Sequence, residues 1–425
     1  MPLLPPTRQS WQPLASLGQE AHIDFILEDI AAELWNRRDE LDPTMFSGLA
    51  GAALFLGHLS RRPGWEAQAA RAEQLMELAI SRLEEAPGLH LYQGFPGLSW
   101  CVEHLRHLHV IAGEVDPNAE VDEWIGDVLA TEEWQGSYDL FGGLVGLGLY
   151  ALERQPNPTS RALLVRVVDH IEALAVSRGS GIVWPTRVES LPEWERERCP
   201  HGYLNFGVAH GIPGVLGLLA SIRSQGIEPD RCARLIHQGL NGLQDFLQSP
   251  EDGAALPAWC PWEKDRPEPT FSRLAWCNGE FGASWLLWQA ANSVDREDWQ
   301  EIALSIARAA AMRPRDTSGV KDVGLCHGSA GNLHLFNRWY QATGEVVFRE
   351  AALAYLDMTL DFHDPSRGFA GFWSCALVNE DHALDYDPAP GLLEGAAGAG
   401  LALLSCSEDS NPSWDRFLLL SGGAD

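Results

Sequence analysis

Basic residues are scarce in this chain: 30 Lys plus Arg face 59 Asp plus Glu, a formal charge of −29 over 425 residues. A surface that tracks nucleic-acid phosphates needs a basic stripe. The nearest candidates are Arg61 with Arg62, close to Glu66, and Arg196 with Arg198, interleaved with Glu195 and Glu197. Nucleic acid is therefore not an expected partner. Also lacking is an uninterrupted apolar run of about 18 residues, which a membrane span needs. The opening MPLLPPTRQSW has no charged region followed by an apolar stretch, so the expectation is a soluble, cytoplasmic protein. Cysteine is thinly spread. Cys101, Cys199, Cys232, Cys260, Cys277, Cys326, Cys375 and Cys406 are too scattered for a disulfide framework, which leaves each as a core residue, a metal ligand or a nucleophile.

What the chain does have is glycine in a pattern. A G-x-x-G pair followed by an apolar helical run occurs seven times, with first glycines Gly48, Gly94, Gly143, Gly211, Gly279, Gly328 and Gly395. The intervals are 46, 49, 68, 68, 49 and 67 residues, and the shorter period fits two helices with their connections. Stretches between the pairs, such as EAQAARAEQLMELAISRLEEA, are amphipathic and read as outer helices. The runs after each pair are apolar nearly all round and read as inner helices buried between neighbours. The expectation is an all-α fold, a closed α/α toroid of seven outer-inner helix pairs, taken as one domain over residues 1–425. Its G-x-x-G turns would ring one mouth, glycine serving there through positive φ and close approach of helix starts.

The long intervals imply insertions of roughly 20 residues, a length usually functional when a loop lacks structure of its own. They fall near 184–206, 249–272 and 363–390, are rich in Pro, aromatic residues and charge, and are expected at the mouth.

Superposing the repeats places Cys277 and Cys326 in one register, two residues before the first glycine, with His327 directly after Cys326. Two thiolates and one imidazole make a three-ligand zinc set with a fourth position open, the arrangement of catalytic zinc. A single buried Cys is ordinarily a small apolar core residue; the shared register argues for ligands instead.

The segments WCNG (276–279), CHG (326–328), NFGVAHGIPG (205–214) and SYDLFGG (137–143) resemble the lanthionine synthetase C, or LanC-like, family, and the likeness runs from near Phe46 to near Cys406. The resemblance implies a double seven-helix α/α barrel and Zn2+ held by Cys277, Cys326 and His327. It also implies catalytic roles for His210, Asp139 and Arg273, each of which would otherwise read as an ordinary polar residue, a helix cap or a surface charge. Two departures stand out: Asn278 where lanthipeptide cyclases often carry an aromatic, and Glu280-Phe281 where a small residue or Pro frequently precedes the second glycine.

The implied reaction adds a cysteine thiolate to dehydroalanine or dehydrobutyrine in a dehydrated precursor peptide, with a dehydratase and a peptide exporter as associated partners. Three rivals are open. A zinc-dependent protein prenyltransferase-like enzyme needs a basic diphosphate pocket, which this sequence does not offer. A carboxylate-pair glycosidase using Asp139 and Glu394 leaves the Cys-Cys-His set unexplained. A LanC-like protein that binds peptide or glutathione, or adds thiols without forming rings, is separated from a cyclase by turnover.

Overall fold

The computed structural model describes residues 11–191, 193–249, 254–264, 272–377 and 384–421. Parts of the second and third insertions, residues 250–253, 265–271 and 378–383, lie outside the described residues. The described chain is mostly helical. Seven outer helices, α1 (Leu17–Asn36), α3 (Gln68–Ser81), α5 (Ala119–Leu129), α7 (Pro158–Leu174), α10 (Pro229–Gln244), α12 (Glu297–Met312) and α14 (Val346–Asp361), precede seven inner ones. The inner helices are α2 (Leu49–Leu59), α4 (Phe95–His107), α6 (Leu144–Glu153), α9 (Ile212–Ser224), α11 (Glu280–Ser293), α13 (Ser329–Thr343) and α15 (Ala396–Ser407). A short helix, α8 (Glu193–Arg198), lies in the first insertion.

Residue patterning accounts for the two kinds of helix. In α10 the buried residues include Cys232, Leu235, Ile236, Gly239, Leu240 and Leu243, a three-and-four spacing that lines one face. By contrast, α2 buries every residue from Leu49 to Leu59, as does α6 from Leu144 to Glu153. Outer helix α7 starts on a conventional cap: Asn157 accepts from the N–H groups of Thr159 (2.8 Å) and Ser160 (3.2 Å), with Pro158 in the first turn.

Inner helices start differently. The first N–H groups of a helix have no intrahelical acceptor, and in α2, α6, α11, α13 and α15 the preceding turn supplies one seven residues back. For α6, Leu144 N–H donates to Ser137 O (3.3 Å), Val145 to Tyr138 O (3.0 Å) and Gly146 to Asp139 O (3.3 Å). For α13 the pairs are Ser329 to Asp322 (2.9 Å), Ala330 to Val323 (3.1 Å) and Gly331 to Gly324 (3.2 Å). The turn must therefore lie directly on the helix start, and that is why glycine is needed. A Cβ on Gly146 would stand 2.5 Å from Leu140 O, and one on Gly214 2.5 Å from Val208 O. Positive φ is not the general reason, contrary to the sequence expectation. Only Gly279 has it (φ 93°); the first glycines of the other six pairs are extended, with φ from −100° to −148°.

The chain forms two compact units. One comprises residues 1–88, 93–113 and 311–414, the other residues 89–92, 114–310 and 415–425. In the first, inner helices pack in the order α13, α15, α2, α4, with α14, α1 and α3 on the outside. Its turns are joined by backbone hydrogen bonds from Cys326 N–H to Leu393 O (2.8 Å) and from Leu392 N–H to Phe46 O (2.8 Å). In the second, α6, α9 and α11 pack side by side, with α7 and α10 outside. There Leu91 N–H donates to Phe141 O (2.7 Å), Leu140 to Ala209 O (3.1 Å) and Ala209 to Cys277 O (3.0 Å). The acceptor is in every case the residue two before the first glycine.

The insertions carry more structure than plain loops. Strands β1 (Val176–Arg178) and β2 (Gly181–Val183) form a hairpin just before the first insertion, which itself holds α8 and β3 (Tyr203–Asn205). β3 pairs antiparallel with β4 (Trp259–Pro261) of the second insertion, with Tyr203 opposite Pro261, Leu204 opposite Cys260 and Asn205 opposite Trp259. In the third, β5 (Trp373–Leu377) pairs with β6 (Leu384–Pro388).

Replacing Gly146 with Ala is expected to cost about 2 kcal/mol or more of stability, because the new methyl meets backbone rather than a flexible side chain. Gly18, in the first turn of α1, has nothing within 4 Å of the added carbon, and Gly18→Ala should be neutral or stabilising by up to about 1 kcal/mol. Urea unfolding of the two variants checks the contrast.

Candidate functional site

Among the described residues, one group of side chains has the make-up of a metal centre: the ligand atoms of Cys277, Cys326 and His327 all lie within 4.8 Å of one another. Bonds of about 2.3 Å to sulfur and 2.0–2.1 Å to nitrogen place tetrahedral ligands roughly 3.3–3.8 Å apart, so the spacing suits a single ion. Two soft sulfurs with one imidazole select a thiophilic metal such as zinc over calcium or magnesium. Cys326 is buried (6 % exposed), while Cys277 and His327 retain some surface.

Each ligand is held through its own turn. Cys277 accepts the Ala209 N–H at its carbonyl, and the neighbouring Trp276 is buried with its indole N–H on Leu418 O (3.0 Å). The C-terminal segment also receives Tyr92 Oη–H at Phe417 O (2.7 Å) and the Trp285 indole N–H at Leu420 O (2.8 Å), so it braces the residue next to the thiol. On the other turn, buried Asp322 accepts from Gly324 N–H (3.0 Å) through one carboxylate oxygen and from Cys375 N–H (2.9 Å) through the other. That places a β5 residue against the turn that carries Cys326 and His327.

Asp139 and His210 meet directly: Nδ1 of the imidazole lies 2.6 Å from a carboxylate oxygen. The second oxygen of Asp139 accepts the Gly142 N–H (2.9 Å), which fixes the carboxylate in the turn before α6. Burial works against charge on the imidazole. The hydrogen bond and negative charge of Asp139, with a further contribution from the Cys277 sulfur, outweigh it, and His210 titrates above the usual histidine value. Its side chain still keeps 50 % of its surface, so it is open to a reactant although densely surrounded. The Phe141 ring lies 4.9 Å from it. Arg273, four residues before Cys277, is exposed, and among the described residues its guanidinium makes no hydrogen bond or ion pair with the other five predicted residues.

Four further residues around the Asp139–His210 pair were not singled out from the sequence. Tyr138 donates its hydroxyl to Trp184 O (2.8 Å), while Thr186 pairs with Tyr203 through two backbone bonds (2.8 and 3.2 Å). Buried Asn205 accepts the Gly207 N–H (2.8 Å) and shapes the turn toward His210. Asn205 lies inside the NFG motif and Tyr138 inside SYDLFGG, signals that were present; Thr186 and Tyr203 carried none.

Comparison with known proteins adds four findings. Residues 39–419 match the family model described as lanthionine synthetase C-like protein. The nisin biosynthesis protein NisC of Lactococcus lactis subsp. lactis is 24 % identical over 309 residues, 69 % of this chain and 72 % of that protein. LanC-like protein GCL1 of Arabidopsis thaliana is 27 % identical over 168 residues, 38 % of this chain and 35 % of that protein. Among solved structures, nisin cyclase superposes with a TM-score of 0.74 at 20 % identity, over 95 % of this chain and 98 % of that one. That likeness shows the fold, an α/α toroid. No helix among the described residues is long and apolar enough to cross a membrane.

Asp139→Asn should lower the His210 pKa, measured by NMR titration of the imidazole. The sign for stability follows. A raised folded-state pKa stabilises fully below the unfolded value near 6.5. The contribution is lost as pH rises through the folded-state pKa, and the variant should lack that dependence.

Proposed function

From the premise that this chain belongs to the lanthionine synthetase C-like family, we propose that it is a zinc-dependent cyclase that closes thioether rings in a dehydrated precursor peptide. The observation that carries the proposal is the Cys277, Cys326 and His327 group, whose three donors lie close enough to hold one ion that would also bind a substrate thiol. Zinc bound there supplies the thiolate form of a substrate cysteine at neutral pH, where a free thiol with a pKa near 8.5 is mostly protonated.

The chain's own residues handle the rest. Sulfur forms a bond to the β-carbon of dehydroalanine or dehydrobutyrine, the C=C π pair moves to an enolate, and the α-carbon must then take a proton. His210 donates it. Its raised pKa keeps a larger share of imidazolium near neutral pH, and with Nδ1 held by Asp139 the opposite nitrogen, Nε2, carries the mobile proton. Asp139 fixes the ring orientation and stabilises its charge. The proton released as the substrate thiol ionises restores His210, so the addition is proton-neutral. Arg273 is the cation for the enolate oxygen, reaching it from an exposed position once peptide is bound.

The insertions give the peptide its surroundings, and the charge of −29 favours a peptide with basic segments. A dehydrated substrate requires a dehydratase acting earlier on Ser or Thr, and the product is one that an exporter would take.

Purified protein given a peptide with one dehydroalanine and one cysteine is expected to hold near-stoichiometric zinc and to consume free thiol, and a chelator should stop that loss. Cys326→Ala should lose both metal and turnover. His210→Asn should keep zinc while turnover falls about 10²- to 10⁴-fold. Zinc without turnover in the unmodified protein favours a LanC-like binding or thiol-addition protein.

A further inference from the structure

Glu280 is a buried carboxylate at a helix start, and its position has a physical meaning. It is the first residue of α11, three positions after Cys277, and only 6 % exposed. A helix N-terminus favours a negative charge, but burying a carboxylate is costly without strong hydrogen bonds. One carboxylate oxygen of Glu280 accepts the backbone N–H groups of Ala255 (2.8 Å) and Leu256 (3.3 Å). Those residues belong to the described part of the second insertion, which Gln248 N–H also grips at Ala255 O (2.9 Å). The insertion is thus fastened to the helix that follows the first thiol.

From Leu256 the chain runs into β4, and β4 holds β3 by the three-residue ladder and by Phe206 N–H to Ala258 O (3.0 Å). β3 leads through Asn205 and Gly207 to His210, whose turn returns to Cys277 by the Ala209 N–H bond. Glu280 therefore closes a circuit of hydrogen bonds that starts and ends beside Cys277. The ribbon inside that circuit carries partly exposed aromatic residues. Tyr203 and Trp259 meet edge to face at 6.0 Å, and the Arg198 guanidinium lies 4.7 Å over the Trp259 ring. Tyrosine, tryptophan and arginine are the side chains that most often anchor a bound chain. On its other side the ribbon reaches Thr186, two residues beyond the Trp184 carbonyl that holds Tyr138, the neighbour of Asp139.

We propose that Glu280 is a positioning residue for the peptide: it locks residues 255–261 of the second insertion onto α11 and so presents the Arg198, Tyr203 and Trp259 face to a substrate reaching the Asp139–His210 pair. The proposal rests on the cyclase reading and names the element that selects its substrate. Glu280 does not touch reacting atoms. Its loss should act on peptide affinity and leave the chemistry intact.

The test uses full-length zinc-loaded protein and a fluorescein-labelled synthetic peptide of a dozen residues with one dehydroalanine and one cysteine. Binding is followed by anisotropy and thiol loss by a colorimetric assay. In Glu280→Ala the zinc content should be unchanged, KM and Kd for the peptide should rise about tenfold, and kcat should stay within twofold. Hydrogen exchange at Ala255 and Leu256 should accelerate at least tenfold. Glu280→Gln, which keeps an acceptor oxygen, should recover most of the affinity, and Trp259→Ala should weaken binding as Glu280→Ala does. Unchanged Kd and unchanged exchange in Glu280→Ala overturn the proposal, as does a fall in kcat at constant KM. Because Kd and exchange need no turnover, a wild-type protein that binds the peptide without consuming thiol counts against the cyclase reading alone. A wild-type protein that does not bind it overturns both.

Discussion

The first N–H groups of an inner helix need acceptors, and in α2, α6, α11, α13 and α15 the preceding turn meets that need with carbonyls from seven residues back. The geometry leaves no room for a side chain at the paired glycines, which is why G-x-x-G recurs while the rest of each repeat varies. The same turns carry backbone bonds to their neighbours through the residue two before the first glycine. One local solution to an unsatisfied helix start therefore also sets the register between repeats. A residue at that position is held by hydrogen bonds on its main chain, whatever its side chain.

The chemistry occupies what that constraint leaves free. Phe141, Ala209, Cys277, Leu393 and Phe46 each accept the N–H of a neighbouring turn, Cys326 donates its own N–H to Leu393 O, and of these six only Cys277 and Cys326 bear a thiol. Residues one step later include His210 and His327, so the position before the first glycine supplies an imidazole in two repeats. Sequence divergence among structurally equivalent turns gives a stabilising repeat the residues of the candidate site. The buried carboxylates Asp322 and Glu280 then join the third and second insertions to the turns that carry the thiols.

Much of this was legible in the sequence because glycine spacing and helix amphipathicity are local signals. The seven outer and inner helices follow from them, and so does the common register of Cys277 and Cys326. The reason for the glycines was only half legible: crowding by the turn's carbonyls dominates, and positive φ matters at Gly279 alone among the first glycines. The Asp139–His210 bond joins residues 71 positions apart, a distance no local pattern encodes; only family resemblance named both. The β3–β4 ribbon and the bracing of Trp276 by the C-terminal segment were not legible, since each depends on pairing between distant stretches with no periodicity of their own.

The proposed function depends on a metal held by the two sulfurs of Cys277 and Cys326 and one nitrogen of His327, with a position left for the substrate thiol. X-ray absorption at the zinc edge, on the purified protein before and after addition of a cysteine-containing dehydrated peptide, tests it most directly. The account predicts two sulfurs at about 2.3 Å and one imidazole nitrogen near 2.0–2.1 Å, with the sulfur count rising from two to three when peptide is added. A sulfur count that stays at two with peptide bound, or a protein that takes up no zinc, would contradict it.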